Sequence, residues 1–516
     1  MSRLSKNIIY NLCGQGLLMV LGFVAVKYIF KQLGEDALGI IYFTATMNVV
    51  LGGVLQKGIY ATTVREVSAH SGDDPGYLCD FIRTGSLFTW GVFVLFGAGV
   101  YFCAPILIEK WINLKSMDSA TAINILRIMG IASLITFPRS FYASLLRGLQ
   151  RMEFNNAIDV ITSGIQQFGI VLILKYEGSL FHVVYWFAAC YGLSTMVYFI
   201  ISSRCFSLKS LLPAYSSGVV KKNWGFTSKM VSISILTMIH NNAEKIIVSK
   251  WLPIGIFGYY GFAYGAVSKA GLITSAFAQA ALPALSASFK AGNRFGLMSQ
   301  YRKMQDLICF ITIPIFAAIP FVTLPLFTYL FNAETARSLL LPITFLSVGF
   351  YMNGTLNLPY QFSLAAGKPE ITVRSNIYAL FVVLPFTVFL IYLWGLTGAG
   401  LSWVFFNLFI YAYTVPRICA ECLKIPVRMW YLHVFRVYIL AILTYGSAWF
   451  FLKFLDIHSI LFLAIAYIGA STIFFIGAYF MIGDELRETI FRYMQEIKNN
   501  LFPRTTAHAG GRNSKL

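Results

Sequence analysis

Charged residues are scarce in this sequence. Only 12% of its 516 residues are Asp, Glu, Lys or Arg and 58% are hydrophobic, whereas an average soluble domain has about 25% charged residues. The mean hydropathy is +0.70. This composition excludes a soluble globular protein. The aromatic content of 16% also excludes a disordered chain, because so much apolar surface would not stay hydrated. The composition indicates an integral membrane protein.

Acidic residues are scarcer than basic ones, with 21 Asp and Glu against 40 Lys and Arg and a net charge of +19. The excess does not indicate nucleic-acid binding, because the cations occupy short gaps between apolar stretches of membrane-spanning length rather than one polar domain. Gaps after even-numbered stretches hold most of them, for example Arg147, Arg204, Lys290 and Lys424. By the positive-inside rule we expect both termini in the cytoplasm.

Paired cysteines and catalytic motifs are also missing. The eight cysteines are scattered, and Cys419-Ala-Glu-Cys422 has no second pair to complete a metal site. No Walker loop, dinucleotide fingerprint, HExxH or GxSxG motif is present. We therefore expect no enzymatic activity, no cofactor and no metal. Any transport should be driven by a gradient or by the membrane potential.

The apolar stretches predict an all-α polytopic membrane protein of about fourteen transmembrane helices, since they are too long and too regular in hydropathy for β-strands. The expected helices begin near Asn7, Ala37, Phe81, Ala120, Asn155, Leu180, Trp224, Gly255, Asp306, Ser338, Ile371, Thr397, Tyr431 and Ile457.

An internal repeat divides the chain. Gly39 in LGIIYF and Gly258 in FGYYGF are 258 − 39 = 219 residues apart, and the pairs Lys31/Lys250, Leu33/Leu252 and Gly148/Gly367 share that offset. Parallel repeats of six helices indicate two lobes related by an axis along the membrane normal. We expect an N-terminal lobe over 1–203, a cytoplasmic linker over 204–223, a C-terminal lobe over 224–424, a terminal helix pair over 425–482 and an amphipathic or disordered cytoplasmic tail over 483–516.

Ionisable side chains inside hydrocarbon cost several kcal/mol, so each is a functional candidate. Lys269 lies near the middle of the eighth helix, on which the small and polar residues between Gly261 and Gln279 form either a packing seam or a cavity wall. A cationic, substrate-binding cavity is predicted from Lys57, Arg65, Arg83, Arg139 and Lys269.

Other polar residues complete this prediction. The expected cavity wall consists of Asn48, Gln56, Tyr60, Asn241, Tyr264, Gln279 and Asn353. Asp159 and Glu244 are the acids expected within spans. Either residue could bind a proton or a sodium ion, or could neutralise a lysine.

Together with the LGxxxF-like entries to helices two and eight, the run NNAEKIIVSKWLPIGIFGYYGFAYG over 241–265 resembles the MOP superfamily, and within it the Wzx-type polysaccharide flippases. The resemblance covers roughly residues 5–480, and Glu244 stands where members of the family usually have an acid. It implies movement of an undecaprenyl-pyrophosphate-linked oligosaccharide across the bacterial inner membrane. A polysaccharide polymerase and a chain-length regulator would be partners by the same resemblance.

Two other functions found in the same superfamily are also compatible with the sequence. A drug antiporter of the MATE branch would need several acids in one lobe, and a lipid II flippase would share both the fold and the anionic cargo. A membrane-embedded glycan ligase or polymerase is less compatible, because it would need a large polar outward loop. The embedded cations outnumber the embedded acids, which suits a pyrophosphate better than a cationic drug.

Overall fold

A computed structural model describes residues 3–70, 74–176, 178–290, 294–457, 459–483 and 486–488 of the chain. The side chains of 3–15 and 279–295, and those of Val54, Gln56, Lys57, Ile233, Thr237 and Ala276, lie outside that description. The described ranges are helical throughout, apart from turns, loops and one isolated bridge between Asn113 and Pro253.

The helices in chain order are α1 (Arg3–Leu55), α2 (Ala61–His70), α3 (Pro75–Lys110), α4 (Ser119–Leu134), α5 (Thr136–Gly148), α6 (Met152–Lys175), α7 (Leu180–Cys205), α8 (Leu208–Leu211), α9 (Ser217–Trp251), α10 (Ile254–Lys290), α11 (Arg294–Leu330), α12 (Ala333–Ala365), α13 (Glu370–Ile418), α14 (Val427–Ala441), α15 (Ser447–Phe454) and α16 (Ile460–Met481). Single π-helical turns lie at Gln56–Tyr60, Cys419–Leu423 and Ile442–Gly446.

Within the described ranges, ten helical segments are long and apolar enough to cross a membrane. Two of the longest helices are broken inside, α1 at Gly34 (φ 84°) and α13 at Gly395 (φ 54°). Both glycines adopt a positive φ that other residues rarely take. The breaks fall between the first and second expected spans and between the eleventh and twelfth. The chain is therefore an all-helical, multi-pass membrane protein, and the count of fourteen spans stays a prediction.

Helix boundaries recur at the offset of the sequence repeat. A shift of 219 residues moves α3 from 75–110 to 294–329, and α11 is Arg294–Leu330. The same shift moves the break at Gly34 to Pro253, which separates α9 from α10. It also moves the gap after α6 to the break at Gly395 inside α13. These coincidences support a structural duplication. The lobe boundaries proposed from the sequence stay a prediction.

The repeat-equivalent glycines Gly39 and Gly258 pack against each other where α1 crosses α10. A Cβ on Gly258 would lie 2.7 Å from the backbone nitrogen of Gly39, and one on Gly39 would lie 2.1 Å from the carbonyl oxygen of Ile254. Two helix backbones can approach this closely only where neither carries a side chain. The crossing of α1 and α10 therefore depends on both glycines.

The same stretch of α1, just after the break at Gly34, is fixed by a buried carboxylate. Asp36 is 1% exposed, and its Oδ2 accepts hydrogen bonds from the backbone N–H groups of Lys115, Ser116 and Met117 in the loop between α3 and α4. Three backbone donors stabilise the charge of this carboxylate without a counter-ion, while its buried Oδ1 has no partner in the described part of the chain. Asp36 thus ties the α3–α4 loop to α1.

The chain forms two compact units, 1–268 with 322–349 and 372–411, and 269–321 with 350–371 and 412–516. In the first unit an apolar core joins α3, α5 and α7 around large buried rings, including Phe81, Phe141, Tyr142 and Tyr198. In the second unit the Tyr351 hydroxyl donates to the carbonyl of Cys309 (3.0 Å). The Tyr467 hydroxyl donates to that of Pro314 (3.0 Å), which joins α16 to α11.

Replacing Gly258 by alanine should destabilise the fold, because the added methyl group meets the backbone of α1. We expect a loss of about 1–3 kcal/mol, the usual cost of overpacking a tight contact, measured as a lower melting temperature of the detergent-purified protein. Gly265→Ala on the same helix is the matched control, since a Cβ there meets nothing within 4 Å. Equal melting temperatures for the two variants would contradict the proposed close crossing.

Candidate ion and substrate site

Helix α9 carries His240 and Glu244 one turn apart, so the two side chains share a face. Glu244 is 3% exposed. Neither its Oε1 nor the Nε2 of His240 has a hydrogen-bond partner in the described part of the chain. Both residues line a cavity of about 20 Å³ against α13, with walls that include Thr387, Ser402, Trp403 and Phe406. That volume holds about one water molecule.

The groups around this cavity suit a small cation. Ser402 donates its hydroxyl proton to the carbonyl of Ala399 (2.7 Å), which leaves its oxygen lone pairs available. The His240 ring is held 3.8 Å from the centroid of Phe406. A buried carboxylate with an unpaired oxygen beside a water-sized space can hold a proton or a small monovalent ion.

Lys245 points away from this cavity. Its Nζ donates to Asn242 Oδ1 (3.0 Å) and lies 3.8 Å from the ring centroid of Tyr264 in α10. No salt bridge joins Lys245 to Glu244 among the described residues, since neighbouring side chains on a helix diverge by about 100°. The aromatic face of Tyr264 thus partly compensates the desolvated ammonium group.

The predicted cation Arg139 and the predicted acid Asp159 form one cluster. The Arg139 guanidinium contacts Asp159 Oδ1 across α5 and α6, and the Tyr198 hydroxyl donates to the same oxygen (2.9 Å). Arg139 also retains a buried Nε with no partner in the described ranges. The structure therefore pairs these two charges, and Asp159 neutralises an arginine rather than a lysine.

Arg65 is held in a second cluster around Glu66, a residue that the sequence did not single out. Its Nε and Nη2 donate to Glu66 Oε1 (2.9 and 2.6 Å), and Nη2 also donates to Asn223 at the start of α9 (2.9 Å). Glu66 Oε2 accepts from the Tyr77 hydroxyl (2.8 Å). The cluster joins α2, α3 and α9 outside the apolar stretches Gly16–Gly53 and Pro75–Lys110.

Burial of Glu66 acts to raise the pKa of its carboxyl. The hydrogen bonds from Tyr77 and Arg65, with the charges of Arg65 and His70, outweigh that effect and hold the pKa below its usual value. A carboxyl whose pKa is lowered by folding stabilises the fold while it is ionised, and loses that contribution as the pH falls through the folded pKa.

Asn48 and Tyr60 lie where the helical path breaks between α4 and α5. The Asn48 amide donates to the carbonyl of Ser133 (2.6 Å) and to the hydroxyl of Thr136 (3.0 Å), and the Tyr60 hydroxyl donates to the carbonyl of Phe137 (3.0 Å). Carbonyls exposed at a break require such partners in a membrane. Both side chains thus have a structural task, and their role as cavity wall stays a prediction.

In the second unit Lys269 is exposed on α10, without a hydrogen bond or ion pair to any residue that the structure describes. It lies 15 residues after Ile254, or about 22 Å along the helix. A turn and a half further on, Thr274 accepts a hydrogen bond from the amide of Asn357 in α12 (3.1 Å). Asn353 lies one turn before Asn357 and is half-buried, so the predicted polar stripe of α10 faces a polar side of α12.

The remaining predicted residues are placed individually. Arg83 in α3 is half-buried, with a buried Nε that has no partner within the described part of the chain, and Asn241 in α9 is exposed. The side chains of Lys57, Gln56 and Gln279 lie outside the described residues.

Among the functional candidates, His240, Lys245 and Glu66 were not predicted as site residues. The spacing of His240 and Glu244 by four could have indicated the first, because it places both on one helix face. The other two are recognisable only from partners on distant helices.

The overall architecture resembles two solved structures. A lipid II flippase MurJ in an inward closed conformation matches with a TM-score of 0.68 and 14% identity over 90% of this chain and 98% of the other. An inward-facing multidrug resistance MATE family transporter of the MOP superfamily matches with a TM-score of 0.65 and 16% identity over 79% and 95%. With its buried and paired charges in long apolar helices, the chain has the fold of the MOP class of membrane transporters.

The sequence comparisons define the family. The family described as "Polysaccharide biosynthesis protein" matches residues 4–289, more than half of the chain. A protein of Shigella flexneri named "Putative O-antigen transporter" is 21% identical over 430 residues, 80% of this chain and 98% of its own length. The chain belongs to the polysaccharide biosynthesis protein family, which confirms the resemblance drawn from its sequence. These relatives are transporters and flippases rather than catalysts, as expected for a protein that is not an enzyme.

Glu66→Gln should lower the melting temperature at neutral pH, because the neutral amide loses the ionic contacts with Arg65. The buried site implies a loss of about 1–3 kcal/mol. The difference from wild type should stay constant from about pH 7 to about 5 and close only as the pH falls below about 4.3, through the lowered pKa of the folded carboxyl, since only the wild-type residue loses a charge. Glu109→Gln, which changes an exposed residue of α3, is the control and should have the same melting temperature as wild type at each pH. A gap for Glu66→Gln that does not change with pH would contradict the ionic role.

Proposed function

We propose that this protein is a flippase that moves an oligosaccharide linked to undecaprenyl pyrophosphate from the cytoplasmic to the outer leaflet of the bacterial inner membrane. Its family, and the transporter name of its Shigella flexneri relative, support a lipid-linked glycan as cargo. In this proposal both termini are cytoplasmic. A polysaccharide polymerase and a chain-length regulator would take up the product on the outer side.

The observation that carries the proposal is Lys269, an exposed cation in the middle of the 37-residue helix α10. An ammonium group at membrane depth is costly unless it meets water or an anion. A pyrophosphate diester supplies about two negative charges and many acceptor oxygens. In our proposal Lys269 binds the pyrophosphate with Lys57, Arg65, Arg83 and Arg139 while the cavity is open to the cytoplasm.

Glycan recognition is assigned to the polar residues that border this cavity. In this proposal the exposed amide of Asn241 contacts the sugar directly, and Tyr264, Asn353, Asn48, Gln56, Tyr60 and Gln279 complete the predicted wall. Sugars require such stacking and hydrogen-bonding surfaces, whereas the isoprenoid tail needs only lipid. We propose that the tail stays in the bilayer while the lobes 1–203 and 224–424 alternate around the headgroup.

The membrane potential provides a driving force for this direction. Moving one elementary charge across 100 mV is worth about 2.3 kcal/mol. Two negative charges that leave a negative interior would therefore gain roughly 4–5 kcal/mol. Because the sequence contains no nucleotide-binding motif, this potential and a coupled ion are the energy sources we assign to the protein.

Glu244 is the proposed site for the coupled ion. Its unpaired carboxylate oxygen beside a water-sized cavity supports binding of a proton or a sodium ion, which would re-set the transporter after the cargo leaves. Asp159, the other candidate, is already engaged by Arg139 and Tyr198. We therefore place ion coupling at Glu244 first.

The ion pairs formed by the acidic residues are relevant to the alternative function, a drug antiporter. A cationic drug needs an available carboxylate, but Asp159 is held by Arg139, and Glu66 by Arg65 and Tyr77. The same pairs also occupy Arg139 and Arg65, so the cation that distinguishes an anionic cargo is Lys269, which has no ion pair among the described residues. A lipid II flippase would differ from our proposal only in the glycan that is carried.

Deletion of the gene in its native host should cause lipid-linked oligosaccharide diphosphate to accumulate and surface polysaccharide to disappear. Complementation with Lys269→Gln should restore less than about a tenth of the wild-type surface polysaccharide, since one charged hydrogen bond is worth about 1.5–3 kcal/mol. Mass spectrometry of the extracted lipids identifies the glycan.

Exposed Lys175→Gln at the end of α6 is the matched control and should complement fully. Full complementation by Lys269→Gln at normal protein levels would remove Lys269 from the mechanism. Unchanged glycans together with new sensitivity to cationic dyes would overturn the flippase proposal and favour a drug antiporter.

Glu244→Gln should uncouple transport from the ion while leaving cargo binding intact. In proteoliposomes, wild-type uptake should respond to an imposed proton or sodium gradient at fixed membrane potential, and the variant should not. Comparing the two gradients identifies the ion.

Glu334→Gln, which removes an exposed carboxylate from the first turn of α12, should behave as wild type. An unchanged gradient response in Glu244→Gln would show that the ion binds elsewhere.

A further inference from the structure

The second unit contains a cavity of about 610 Å³ that none of the arguments above uses. It lies between the first turns of α11, the first half of α14 and the end of α16. Its size is typical of a ligand site.

Cations dominate the described charges of this cavity. Arg302, Arg436 and Arg487 line it with His433, and Asp306 is the acid among the described lining residues. Arg302 is exposed and forms no hydrogen bond or ion pair with any described residue. The cavity thus carries more positive charge than its own acid neutralises.

Asp306 is fully used in holding the three elements together. It is 3% exposed. Its Oδ2 accepts from the backbone N–H of Gly483 (3.1 Å), and its Oδ1 lies 3.1 Å from His433 Nε2 and 3.4 Å from Arg436. One carboxylate therefore contacts both an arginine and a histidine.

Arg436 is left with an unmet donor. Its Nε is buried and has no acceptor within the described ranges, although its Nη2 contacts both Asp306 and His433 Nδ1 (3.0 Å). A buried donor without an acceptor is unfavourable. An anion in the cavity would be attracted by this incompletely paired guanidinium and by Arg302.

Apart from Gln305, the rest of the lining is mostly apolar and aromatic. Met298, Met429, Leu432 and Phe480 provide hydrocarbon surface, and the Trp430 indole donates to the Tyr301 hydroxyl (3.2 Å). Arginines above such a surface match a ligand with a phosphate head and acyl chains. Basic pockets between transmembrane helices bind anionic lipid headgroups on the cytoplasmic side, where the loop charges put these helix ends.

We propose that this cavity binds the phosphodiester headgroup of an anionic membrane phospholipid from the cytoplasmic leaflet. Arg302 and Arg436 contact the phosphate, and the acyl chains follow the apolar wall formed by α14 and α16. The bound lipid bridges the terminal helices to α11. This site is separate from the cavity proposed for the transported cargo.

The test is native mass spectrometry of the full-length protein in detergent, titrated with dioleoyl phosphatidylglycerol or with dioleoyl phosphatidylcholine. We expect one phosphatidylglycerol to bind at least about tenfold more tightly than phosphatidylcholine. Arg302→Gln and Arg436→Gln should each weaken phosphatidylglycerol binding about tenfold. This change in affinity corresponds to the free energy of one hydrogen bond to a charged group. Arg302→Gln removes no contact within the described residues and should fold normally.

Arg428→Gln is the matched control, because it removes an exposed arginine of α14 that does not line the cavity. Equal affinity for the two lipids, or equal weakening by Arg428→Gln and Arg302→Gln, would overturn the proposal. Displacement of phosphatidylglycerol by inorganic phosphate alone would assign the site to a soluble anion. Displacement by a lipid-linked oligosaccharide diphosphate at equal concentration would assign it to the cargo. A negative result in any of these binding experiments would leave the flippase proposal standing, because that proposal is tested separately by the glycans of the deletion strain.

Discussion

A charge inside a bilayer must be paired, hydrated or neutralised, and much of this structure follows from that requirement. Asp159 contacts Arg139 and the Tyr198 hydroxyl, and Asp36 Oδ2 accepts from three backbone N–H groups. Outside the apolar stretches, Glu66 contacts Arg65 and Tyr77 in the same way. Each cluster joins helices that are distant in sequence. The same contacts that make the charges tolerable thus fix how the helices of the first unit pack.

The exceptions to that pairing are the most informative positions. Glu244 retains a buried oxygen with no described partner, and Lys269 is exposed at mid-helix. Neither arrangement adds stability, because an unmet buried acceptor costs free energy, as a cation does wherever it is held in hydrocarbon. Natural proteins break the local rules of satisfaction mainly at functional sites. Our proposals of an ion site at Glu244 and of an anion-binding site at Lys269 rest on this reasoning.

The helical fold and the break at Gly34 follow from the sequence, since long apolar runs and glycine act locally. The repeat is also visible there, because it preserves Gly39 and Gly258. The charge clusters are not predictable in the same way. Arg139 and Asp159 both appear as candidates, but their contact depends on how α5 and α6 pack. Asn48 and Tyr60 appear as cavity residues because a polar side chain in a span has the same signature whether it binds cargo or a backbone carbonyl.

The contact between Gly39 and Gly258 has a geometric meaning beyond close packing. A residue can touch its own repeat equivalent only on the axis that relates the two copies. This is the arrangement of an isologous interface, in which one surface patch meets itself. Here a single chain contains both copies of that patch. A change made at the equivalent position in both repeats would therefore act twice at the same point, and the two glycines behave as one symmetric structural element.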